Sequence, residues 1–72
     1  MKLSEAQFGQ AQDAVDAKVR STKKGTSERA EAVALQARWE AVLALPDATF
    51  ANREARSAAI AEFAFENGLV TP

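Results

Sequence analysis

The chemistry open to this chain is narrow: ten carboxylates, nine lysines and arginines, hydroxyls and amides, with no histidine and no cysteine. Within one chain that excludes a Ser-His-Asp triad, a Cys-His pair, and any thiolate or imidazole metal site. Carboxylates alone suit Ca²⁺ or Mg²⁺, and Asp13 and Asp16 sit three positions apart. No loop, however, supplies the ladder of spaced oxygen ligands closed by a glutamate that calcium requires. The run Lys23-Lys24-Gly25-Thr26-Ser27 carries the residue types of a phosphate loop in the wrong order, and no strand precedes it. A chain this short has little room for both a core and a concave pocket with converging polar groups. We therefore expect no enzyme, no metal, no cofactor and no small-molecule substrate.

Binding chemistry is better represented. Lys18, Arg20, Lys23, Lys24 and Arg29 fall within twelve residues whose only acid is Glu28. Free amides at the start of a following helix, beside Lys23, Lys24 and Arg29, would form an anion-binding corner, which Glu28 and Glu31 oppose. Farther on, Asn52, Arg53, Arg56 and Ser57 are residue types that reach base edges from the start of a helix. On a helix-turn-helix reading they would face bases while Lys23, Lys24 and Arg29 held phosphates. Glu54, Glu62 and Glu66 on the same helix, a connecting turn without glycine and a net charge of −1 count against it, because phosphate neutralisation supplies most nonspecific affinity.

These residues need elements to position them, and the periodicity predicts three helices over 5–21, 28–45 and 51–67. The first opens on Ser4 and Gln7 at capping-box spacing, with Leu3 and Phe8 placed as a hydrophobic staple. Phe8, Val15 and Val19, with Ala11 and Gln12 between, give a narrow seam, and Asp16 can pair with Arg20. Gly25 is expected to stop this helix in a left-handed conformation. In the second helix Leu35, Trp39, Val42 and Leu43 share an arc with Ala32, while Arg29, Gln36 and Glu40 gather on a flank. Ser27 would cap its start and Pro46 ends it. Asp47, Thr49 and Asn52 are all acceptable caps for the third helix. Gly68 and Leu69 mark its Schellman-type stop, and the tail Leu69-Val70-Thr71-Pro72 would lie back over the core.

The third helix is apolar on two sides. Ala59, Ile60, Phe63 and Ala64 make one arc, and Ala58, Ala61 and Phe65 another. Such a helix is either buried all round or offers a second face to a partner. On the latter reading Phe65, Ala61 and Ala58, joined by Phe50, form the candidate protein-binding surface. Asn52 and Arg56 continue the first arc as polar residues, which either snorkel at the edge of the core or bind something.

Composition agrees with a single domain over 1–72 of small, antiparallel, all-α three-helix architecture. Apolar residues make up 47 % of the chain, but half of them are alanine. The core is thin, and at this size a partner or a second copy is a natural source of added stability. There is no strand pattern, repeat, membrane-length apolar run or signal-like N-terminus, so the expected location is cytoplasmic. The expected function is a small regulatory or adaptor protein that docks a helical face onto a larger protein or onto its own copy. By size and class alone it is analogous to phage- or mobile-element-type modulators of host machinery. The alternative is a helix-turn-helix-like DNA-binding regulator that uses the third helix.

Overall fold

The structure, a computed structural model, describes residues 1–71. Pro72, the end of the tail expected over the core, lies outside the described residues. The chain forms α1 (Glu5–Ser21), α2 (Ser27–Ala44), a single 3-10 turn (Asp47–Thr49) and α3 (Arg53–Glu66), with no strand among the described residues. It is an all-α three-helix bundle.

Local chemistry sets most of the boundaries. At the start of α1, the Gln7 amide donates to Ser4 Oγ at 3.1 Å, and the Ser4 amide donates to Gln7 Oε1 at 3.0 Å. Two orphan amides are thereby satisfied reciprocally. The cap of α2 differs from the expectation by one residue. Thr26, not Ser27, has the extended backbone of a cap and accepts from the Arg29 amide at 3.2 Å, so Ser27 is the first helical residue. Asn52 caps α3, accepting from the Ala55 amide at 2.8 Å, and Asp47 and Thr49 fall in the 3-10 turn instead.

The two glycines with positive φ do different work. Gly68, at φ 65°, follows α3. The Leu69 amide donates to the Ala64 carbonyl at 2.8 Å and the Gly68 amide to Phe65 at 3.2 Å, which is a complete Schellman stop. Gly25, at φ 84°, does not end α1, whose cap is Thr22. It sits third in the 23–26 turn closed by the Thr26 amide on the Lys23 carbonyl. With no positive φ at Lys24, that is the pattern of a type II turn.

Side-chain contacts give the direction of each helix. Arg29 meets Val19, Gln36 meets Asp16 and Trp39 meets Gln12, so α2 runs antiparallel to α1. Arg56 meets Leu43 and Phe63 stacks on Trp39, so α3 runs antiparallel to α2.

Trp39 is the residue on which all this converges, with none of its surface exposed. Phe8 from α1 tilts against it with ring centroids 5.6 Å apart, and Phe63 from α3 stacks on it at 6.0 Å. Its indole N–H, which would be costly to bury unpaired, donates to Gln12 Oε1 at 3.1 Å. Around it lie Leu3, Ala11, Val15, Leu35, Ile60, Ala61, Ala64, Leu69 and Val70. Leu69 and Val70 are buried, and Gln10 Nε2 reaches Thr71 Oγ1 at 3.4 Å. Through these residues the tail closes over the core and ties α3 to α1.

The molecule is long for its size. Its radius of gyration is 12.9 Å and its extents 40 × 24 × 16 Å, whereas a compact chain of this length has a radius near about 11 Å. Asn67, just past the end of α3, lines one groove with Glu28, Glu31, Ala32 and Leu35 of α2.

Candidate functional site

The basic residues that looked available for phosphate are divided between structural and exposed roles. Arg29, one turn into α2, donates from Nη1 to the Val19 carbonyl at 2.9 Å and to the Thr22 carbonyl at 3.3 Å. It neutralises the unpaired carbonyls at the end of α1, where Thr22 Oγ1 also donates to the Lys18 and Val19 carbonyls. Arg56, one turn into α3, does the same for α2: Nη2 donates to the Leu43 carbonyl at 3.3 Å, and Nε lies 3.6 Å from Asp47 Oδ1. Each interhelical connection is thus stapled by an arginine from the helix that follows it.

Of the remaining members of that set, Asn52 spends its side-chain oxygen on the cap, and Lys23, Lys24 and Arg53 are exposed. They do not share a surface. Lys23 and Lys24 lie in the connection before α2, while Arg53 lies beyond its far end. An 18-residue helix separates those ends by about 27 Å. A depression lined by Met1, Lys2, Arg53, Glu54 and Ser57 marks the Arg53 end.

The four residues expected to form a protein-binding strip differ in burial. Ala61 is wholly buried, and Phe65 is half-buried against the core. Ala58 and Phe50 are half-buried as well. Ala61 is a core residue, so the four do not form one open strip. Of the two sequence-based readings of α3, burial on most sides is the one realised, because Leu69 and Val70 return into the same core.

The open apolar surface lies on α2 instead. Ala30, Val33, Ala34, Ala37, Ala41 and Ala44 are all exposed, Val33 by 43 %, and Leu45 at the end of the stripe by 39 %. At about 100° per residue they cover the side of α2 opposite Ala32, Leu35, Trp39 and Val42. No charged side chain interrupts the stripe; Glu31 and Arg38 border one edge and Glu40 the other. The exposed residues of α1 include Glu5, Asp13, Lys18 and Arg20, and those of α3 include Arg53, Glu54, Glu62 and Glu66. Only α2 turns an uncharged face outward among the described residues. Sequence reasoning passed over it because alanine reads as neutral filler; the signal was the heptad spacing of Ala30, Ala37 and Ala44.

Beside that face, Lys18, Thr22, Glu28, Ala32, Leu35 and Arg38 help line an open groove of about 370 Å³ between α1 and α2. Its charges balance, so it selects no ligand by sign. Asp16, expected to pair with Arg20, instead accepts from Gln12 Nε2 and Gln36 Nε2, both at 3.3 Å. This completes a chain of hydrogen bonds from Trp39 through Gln12 and Asp16 to Gln36. No cluster of three or more potential metal ligands occurs among the described residues, and no helix there is long and apolar enough to cross a membrane.

Compared with protein-family models, with curated proteins and with solved structures, the chain matches none.

Proposed function

We propose that this protein is a small binding module without chemistry of its own, a regulatory or adaptor protein that docks the outer face of α2 onto another protein surface. The single observation that carries the reading is the uncharged, exposed stripe from Ala30 to Ala44 with Val33 and Leu45. A surface helix normally turns charged and polar residues to water, and an exposed apolar face rimmed by charge marks interaction surfaces. Small side chains let a second helix approach to the short end of the interaxial range, about 8 Å, so a helical partner suits the face.

The DNA-binding alternative has less support. Arg29 and Arg56 are engaged with helix-end carbonyls, and the exposed Lys23 and Lys24 lie at the opposite end of α2 from Arg53.

The test compares the intact chain with Ala37→Arg as immobilised baits in native cell extract. The variant should keep its helical signal and thermal midpoint, since Ala37 is exposed, and should lose the proteins that the intact chain retains. Equal retention by both baits, or retention of nucleic acid alone, would remove the reading.

A further inference from the structure

We infer that the outer face of α2 pairs with the same face of a second copy, antiparallel and about a two-fold axis. This rests on the reading of that face as an interaction surface and names its occupant. Ser27, Ala30, Ala34, Ala37, Ala41 and Ala44 follow alternating steps of three and four residues. That is the a/d repeat of a coiled-coil seam, here written almost entirely in alanine and exposed throughout.

The bordering charges select the partner and its direction. Glu31 and Arg38 occupy the same flanking position of successive heptads, on the same edge of the face. In an antiparallel pair like edges meet. Setting Ala34 of one copy against Ala37 of the other brings Ala30 opposite Ala41 and Ser27 opposite Ala44. Glu31 of each copy then lies beside Arg38 of the other, twice by symmetry. A parallel pair sets unlike edges together, and Glu31 and Arg38 would then face Thr26 and Val33, with no charge to meet. The face is self-complementary in one orientation only.

The footprint also sets the strength. A seam about 27 Å long and one helix about 10 Å wide covers on the order of 300 Å² per copy, well short of the about 800 Å² per partner of a stable standard interface. The pairing is therefore reversible and concentration-dependent, and it orders no new backbone because the helix is already formed.

Sedimentation equilibrium of the purified chain alone, from about 10 μM to about 1 mM, tests it. The mass should rise from 7.7 kDa toward twice that value. Ala37→Arg should weaken the association by at least about tenfold. Glu31→Arg and Arg38→Glu should each weaken it, and the double variant should recover it, because the exchanged charges again meet their opposites. With no native cysteine to interfere, Ala34→Cys mixed with Ala37→Cys should cross-link to each other faster than either does to itself.

A chain that stays monomeric at every concentration overturns the pairing. So does a dimer indifferent to Ala37→Arg, or one whose like cysteines join faster than unlike ones. If self-association fails while capture from extract still depends on Ala37, the binding-module reading stands with a different occupant. Failure of both removes both.

Discussion

Arg29 Nη1 lies 2.9 Å from the carbonyl oxygen of Val19, ten residues earlier in the chain and on the preceding helix. The same guanidinium reaches Thr22, so one side chain closes the end of α1 and fixes the start of α2 against it. A hydrogen bond from a charged donor contributes about 1.5–3 kcal/mol when shielded, and this residue is only half-buried. Arg29→Ala should cost about 1–2 kcal/mol, lowering the thermal midpoint by several degrees. Circular-dichroism melts check this. An unchanged midpoint would mean that Arg29 is free for a ligand.

The α2 cap gives a sharper comparison, because two hydroxyl residues are adjacent and only one accepts the amide bond. Thr26→Ala should cost about 1 kcal/mol, whereas Ser27→Ala, at the first helical position, should be close to neutral. Denaturant midpoints of the two variants decide which residue is the cap.

Trp39→Ala removes the side chain that Phe8 and Phe63 both contact. The expected loss is about 3–5 kcal/mol, comparable with the whole stability typical of a domain this small. The variant should be largely unfolded at room temperature by near- and far-ultraviolet circular dichroism. Trp39→Phe keeps an aromatic ring but leaves Gln12 Oε1 without its donor, and should fold with a lowered midpoint.

Phe65 and Leu69 test the closing of the core. Leu69 is 1 % exposed, and Leu69→Ala should cost about 2–5 kcal/mol. Phe65→Asp places a charge against the half-buried edge of the same cluster and should also lower the midpoint. A variant that melts like the parent would place Phe65 on an open face instead.

Much of the fold was legible because its signals are local. Ser4 with Gln7, Gly68 with Leu69, and the arc of Leu35, Trp39 and Val42 each declare themselves within a few residues, and each is realised. The choice between Thr26 and Ser27 was not legible, since it depends on which residue leaves helical geometry. The arginine staples were hidden for a different reason: Arg29 to Val19 and Arg56 to Leu43 are contacts between helices, and a linear scan reads the same arginines as free charge. Asp16 turned to Gln12 and Gln36 instead of Arg20 because α2 packs beside it. The outer face of α2 escaped notice because apolar residues on both sides of a helix cancel its amphipathic signature. It became visible only once Trp39 had fixed which side is inward.

On the proposed pairing α2 has two working faces, one holding the bundle through Trp39 and one open to a second copy. Amide chemical shifts followed residue by residue over a concentration series test it most directly. The resonances of Ala30, Val33, Ala34, Ala37, Ala41 and Ala44 should move together along one saturating curve while those of Lys23, Phe50, Arg53 and Phe65 stay in place. Shifts confined to the latter group, or no movement at any concentration, would contradict it.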